Sequence, residues 1–88
     1  MAIIRRVSAA ITPRQLEVLT HLSQREQWSI GDVASALGVN SAAATKAIAR
    51  LERKGLVTRA VDMLDRRCVN VRVTHAGNDA IRQGARYA

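Results

Sequence analysis

Residues 31–55 read GDVASALGVNSAAATKAIARLERKG, and the fold is decided by how this stretch is divided. Gly31-Asp32 opens a short helix through Leu37, with Val33, Ala34 and Leu37 on its inward side and Gly38 supplying a left-handed stop. Only Val39 separates that stop from Asn40 and Ser41, both good caps for a second, longer helix. This helix runs to Lys54 and is closed by Gly55. Its inward face is Ala44, Ala47, Ile48 and Leu51, spaced i, i+3, i+4 and i+7.

Upstream, Thr12-Pro13-Arg14-Gln15 is a helix start: Thr12 caps, Pro13 suits the first helical position, and Gln15 completes a capping box. Leu16, Leu19 and Leu22, with Val18 beside them, predict a helix from about Pro13 to Ser23. Gln24-Arg25-Glu26-Gln27 then connects to Trp28-Ser29-Ile30, a short extended piece. Downstream of Gly55 the period changes from helical to alternating. Leu56-Val57-Thr58-Arg59 reads as one strand, and Val69, Val71 and Val73 alternate with Asn70, Arg72 and Thr74 in a second. Ala60 to Cys68 projects between them as a hairpin tip. Thr74 caps a last helix through about Tyr87, weakened by Gly77 and Gly84. Residues 1–11 are an apolar and basic lead-in, and residues 12–88 form one domain.

The chain has 88 residues, room for a single core and no second lobe. Hydrophobic residues make up 48% of it, which disfavours wholesale disorder. Its aromatics are Trp28 and Tyr87 alone, so the core is built from Leu, Ile, Val and Ala. Fourteen Lys and Arg against seven Asp and Glu leave a charge of +7, the electrostatic footprint expected for a polyanionic partner. No apolar run approaches the length of a membrane span, and the first six residues are too short and too soon charged for a signal peptide. With its lone Cys68, the chain is expected to be cytoplasmic, at the nucleoid.

A short helix, a glycine turn and a second helix make a helix-turn-helix, and the basic hairpin that follows makes it winged: mainly α with a small β-hairpin wing. Such a second helix enters the major groove of double-stranded DNA. Ser41, Ala42, Thr45 and Lys46 lie in its N-terminal part, where base edges are met, while Arg50 and Arg53 are better placed for phosphates. Between Ser41 and Arg72 stand eight basic residues (Lys46, Arg50, Arg53, Lys54, Arg59, Arg66, Arg67, Arg72) and three acidic ones, so five of the seven net charges fall there. Cations that reach phosphates together give counterion release. Ala42 and Ala43 touch a thymine methyl but hydrogen-bond no base edge, so modest base discrimination with strong salt dependence is expected.

Leu37-Gly38-Val39, the stretch from Thr45 to Leu51, Glu52 to Arg59, and above all Asp65-Arg66-Arg67-Cys68-Val69-Asn70-Val71-Arg72-Val73-Thr74-His75-Ala76-Gly77 resemble the DNA-binding core of MarR-type transcriptional regulators, over roughly Ile11 to Ile81. The resemblance implies that Arg67 at the wing tip reaches into a minor groove and that Asp65 helps hold it, with Arg66 beside them. Leu64 stands where many members carry another Arg. Typical relatives have longer helical segments at both ends, which build a dimer interface and border an effector pocket. Either this chain forms a homodimer through Ile3, Ile4 and Val7 with Ile81, Ala85 and Tyr87, or it binds as a monomer or with a partner. No small-molecule effector is carried over.

Other readings are set aside on their residues. Cys68 has no partner cysteine and nothing to lower its thiol pKa. His21 and His75 lack ligand spacing with each other or with Cys68, so no metal is expected. Trp28 is expected to pack against the core. No nucleophile triad, phosphate-cradling loop or carboxylate pair suggests an enzyme, and no cofactor is implied. Two alternatives to a sequence-preferring regulator stay open: a protein-interaction winged helix meeting an acidic partner, and a low-specificity architectural or mobile-element accessory protein.

Overall fold

The capping box at Thr12 starts the first helix as its residues require. In the computed structural model, which describes residues 11–87 and the side chains of residues 11–84, α1 spans Pro13–Leu22. Thr12 Oγ1 accepts from the Gln15 amide at 3.0 Å, and Gln15 Oε1 accepts from the Thr12 amide at 3.2 Å. The helix ends at Leu22 because Ser23 serves as its C-cap. A two-residue strand, β1 (Trp28–Ser29), leads into α2 (Ile30–Leu37). The extended reading of Ile30 is corrected here: Ser29 Oγ accepts from the Asp32 amide at 3.0 Å, so Ser29 is the N-cap and Ile30 already helical.

Gly38 ends α2 at φ 69°, and Gly55 turns the chain after α3 at φ 75°, both in the left-handed region that a Cβ disfavours. Between them α3 spans Ser41–Arg53, with Asn40 as its cap: Asn40 Oδ1 accepts from the Ala43 amide at 2.8 Å. Ala44, Ile48 and Leu51 of the expected stripe are buried and Ala47 is half-buried, because it lines a groove facing α1.

The hairpin strands are β2 (Val57–Val61) and β3 (Val69–Val73), and the first strand is longer than its sequence reading because Ala60 and Val61 stay in register with Asn70 and Val69. Both pairings are antiparallel, in the order β1-β3-β2, with Trp28 opposite Val71. The last helix, α4, spans His75–Tyr87. Thr74 joins three elements: its amide donates to Leu56 O at 3.0 Å, its hydroxyl to Gly55 O at 2.7 Å, and its Oγ1 accepts from the Gly77 amide at 3.0 Å.

Leu19, Leu22, Val33, Ile48, Leu51, Leu56 and Val71 form the centre of one core shared by α1, α2, α3 and the sheet. Each such aliphatic side chain stabilises the fold by about 1.5–3 kcal/mol on burial. Trp28 packs there as expected. Its indole N–H donates to Leu22 O at 2.7 Å, and Arg25 stacks over its ring at 4.2 Å. Ile81 packs against the same core. Of the other dimer contacts named above, Ile3, Ile4 and Val7 and the side chains of Ala85 and Tyr87 lie outside the described residues. No helix among the described residues is long and apolar enough to cross a membrane.

Candidate nucleic-acid interface

The buried stripe of α3 fixes which side faces out. Ser41, Ala42, Thr45, Lys46, Arg50 and Arg53 are all exposed, opposite Ala44, Ile48 and Leu51. The orientation is held at both ends of the helix. Lys54 Nζ donates to Gln15 Oε1, tying the C-terminal end of α3 to the capping box of α1. Arg59 of β2 pairs with Glu52 at 2.9 Å, tying the wing to the same end.

These ties divide the cations into engaged and unpaired ones. Of the eight cations between Ser41 and Arg72, Lys54 is engaged with Gln15, Arg59 with Glu52, and Arg72 with Gln27 at 3.3 Å and Glu26 at 3.9 Å. Sequence spacing could not separate them, because a paired and an unpaired arginine look alike until the partner is brought up by the fold. Lys46, Arg50, Arg53 and Arg66 have no ion pair among the described residues. Sequence reading also passed over Arg14, which lines a groove of about 200 Å³ between α1 and α3 together with Arg50 but is, like Arg59, already paired, its Nη1 donating to Glu17 Oε1 at 2.8 Å.

At the wing tip Asp65 and Arg67 come together as a fork. Arg67 Nε donates to Asp65 Oδ1 at 3.1 Å and Nη2 to Oδ2 at 3.3 Å, while the Arg67 amide donates to Oδ1 at 3.1 Å. The Arg67 side chain is nonetheless 91% exposed. A two-point contact orients the guanidinium at small energetic gain, since both groups are solvated. Arg66 is exposed beside it. No hydrogen bond or ion pair among the described residues joins the exposed α3 side chains to this tip, so the two groups are positioned independently by the core.

Asp62 was counted as one of three acidic charges and turns out to organise the tip. Its Oδ1 accepts from the Leu64 amide at 2.7 Å and the Asp65 amide at 3.0 Å, and its Oδ2 accepts from Asn70 Nδ2 at 3.1 Å. An Asp whose side chain caps the backbone two and three residues on is a recognised turn former, which is the signal that could have found it. The Asn70 side chain first, then the Leu64 and Asp65 amides, hold the Asp62 carboxyl below its ordinary value. For Asp65 the Arg67 side chain comes first and the Arg67 amide second, in the same direction. Both folded pKa values are depressed, so their stabilisation is complete above the unfolded value near 3.9 and is lost as pH falls through the folded values. Amide resonances of Leu64, Asp65 and Arg67 are therefore expected to hold constant from neutral pH down to about pH 5 and to shift toward random-coil positions below about pH 4. Tip resonances that move near neutrality would contradict this.

Cys68 is exposed, and its Sγ lies 3.6 Å from Asp65 Oδ2. The Asp65 charge, followed by burial, pushes its thiol up, the opposite of what a redox sensor needs.

The chain is similar to known regulators over most of its length. The profile described as MarR family matches residues 11–69. The HTH-type transcriptional regulator YdgJ of Bacillus subtilis (strain 168), itself uncharacterized, is 35% identical over 71 residues, covering 81% of this chain and 43% of that protein. The HTH-type transcriptional repressor MdtR of the same organism is 32% identical over 68 residues, covering 77% of this chain and 44% of that one. Among solved structures, the S. aureus MepR–DNA complex superposes with a TM-score of 0.78 at 28% identity, covering 85% of this chain and 62% of the other. The chain thus spans less than half the length of the two curated relatives, both of which carry the names of transcriptional regulators.

Proposed function

The chain belongs to the MarR family, and from that premise we propose that it binds double-stranded DNA as a winged helix-turn-helix, with α3 in the major groove and the wing tip over the adjacent minor groove. The observation that carries this reading is the pairing of an exposed small and polar N-terminal face on α3 with a guanidinium that is fully presented yet forked to Asp65. Ser41, Thr45 and Lys46 read base edges and Ala42 meets a thymine methyl. Arg50 contacts phosphate, and Arg66 does so at the wing. Arg67 enters the narrow groove, where the negative potential is greatest, with Asp65 orienting it.

The MepR–DNA complex and the repressor MdtR support this reading and its consequence, regulation of transcription by occupancy of a promoter. The whole of residues 12–88 serves as the DNA-binding domain, with residues 1–11 leading into it. A homodimer would set two α3 helices about one helical turn, roughly 34–36 Å, apart along the duplex.

Salt dependence tests the cation assignment. With Arg50, Arg53 and Arg66 on phosphates and Lys46 and Arg67 in the grooves, where they displace counterions as well, five cations contribute and the slope of log Kobs against log[salt] is expected at about −4 to −5 per bound chain. A slope near −7 would mean that Lys54, Arg59 and Arg72 leave their partners on binding. A slope near zero in fluorescence-anisotropy titrations would remove the DNA reading.

A further inference from the structure

The wing tip carries a feature that phosphate contact does not use. Met63 is 91% exposed and Leu64 98% exposed, and Val61 below them is 56% exposed. They are held out, not loosely placed. Asp62 Oδ1 takes the Leu64 and Asp65 amides, the Asp62 amide donates to Cys68 O at 2.9 Å, and the Cys68 amide donates to Asp65 O at 2.9 Å. The tip's hydrogen bonds thus close inward, and two large apolar side chains project from a preformed turn. Arg66 and Arg67 flank them on the C-terminal side.

An apolar point beside two cations fits a partner that offers anionic rims around an apolar interior. The minor groove of a duplex does so, with phosphates along both edges and sugar and base surfaces between them. We propose that Met63 and Leu64 form a wedge that enters the minor groove at the wing, partly unstacks one base step and kinks the duplex. This rests on the DNA reading above and deepens it. Apolar wedges of this kind bend DNA by roughly 20–90°. Pyrimidine–purine steps unstack most readily, so the wedge selects a TA or CA/TG step under the wing by its deformability, next to the narrower stretch that Arg67 occupies. Ala42 and Ala43 leave α3 poor in hydrogen bonds to bases, and the wing supplies sequence preference by this second route.

The test uses the full chain and a duplex recovered by selection from a randomised pool, carrying 2-aminopurine at the wing-proximal step and a donor–acceptor dye pair at its ends. Anisotropy is read in the same samples. Wild type is expected to raise 2-aminopurine fluorescence several-fold and to shorten the end-to-end distance. Met63→Ser with Leu64→Ser is expected to lose both signals while binding within about tenfold of wild type. Its thermal midpoint should be unchanged, because neither side chain packs in the core. Wild type bound by anisotropy with neither signal, or the double variant retaining both, would overturn the wedge and leave the DNA reading standing. Absence of binding by anisotropy would remove both. Tighter partitioning of the tip onto phosphatidylglycerol vesicles than onto duplex at equal phosphate, lost in the same double variant, would replace the wedge with a lipid contact.

Discussion

Lys46→Ala combined with Arg67→Ala is expected to lower affinity for duplex DNA by roughly 100-fold, about tenfold from each site, on the scale of 1–3 kcal/mol for a lost base or groove contact. The two side chains share no hydrogen bond, ion pair or common partner among the described residues, so their effects should add. Neither substitution removes core surface: Lys46 and Arg67 are exposed, and the Arg67–Asp65 pair is solvated. Thermal midpoints should therefore hold while binding falls. Arg67→Lys separates charge from geometry, since an ammonium keeps the attraction and loses the two-point fork to Asp65. It is expected to fall between wild type and Arg67→Ala. Unchanged affinity in the double variant, measured by gel shift at fixed salt, would reject the assignment of both residues.

The second large effect is on stability, and its sign separates sequence propensity from structure. As a glycine in the first turn of a helix, Gly77 costs up to about 1 kcal/mol relative to Ala, so Gly77→Ala read from sequence alone should stabilise α4. In the fold the added Cβ would sit 2.3 Å from Leu56 O and 2.7 Å from Val73 Cγ1. Leu56 O cannot yield cheaply, because it accepts the Thr74 amide that joins α4 to the base of the wing. Overpacking against fixed backbone outweighs the propensity gain, and a net loss of about 1–3 kcal/mol is expected. For a domain of this size that is a fall of Tm on the order of 10 °C by calorimetry. Gly84→Ala offers the contrast. Its Cβ would meet the head of the Leu16 side chain, Cδ2 at 2.3 Å and Cδ1 at 2.9 Å, but a side chain can change rotamer where backbone cannot, and a smaller loss follows. A rise in Tm for Gly77→Ala would contradict the packing described.

The same glycine shows where sequence reading reached and where it stopped. Caps, stops and periods are local, so Thr12, Gly38, Asn40, Gly55 and the valines of β3 placed the elements and the helix-turn-helix nearly as found. Gly77 depends on the backbone of Leu56, twenty-one residues earlier, and no local signal reports a close approach. The candidate interface divides in the same way. Which side of α3 faces out follows from its stripe, whereas the pairing of Asp65 with Arg67 is implied by the family resemblance and not by the residues' spacing. Which cations are already engaged depended on Gln15, Glu52 and Gln27, brought into place by tertiary packing. Asp62 escaped because its effect works through backbone amides, and composition registers it only as a charge.

The docking geometry has a built-in reporter. Cys68 is the chain's single cysteine, is exposed, and follows Arg67 directly. An iron chelate conjugated there at mildly alkaline pH, then supplied with peroxide and ascorbate, generates hydroxyl radicals at the wing tip, and on a duplex recovered by selection the cuts map where the tip lies. Expected are cuts confined to the DNA flanking the sequence read by α3, offset toward the 3′ ends of the two strands, as minor-groove attack produces. Diffuse cleavage, or cuts offset toward the 5′ ends as from the major groove, would contradict a wing seated in the minor groove.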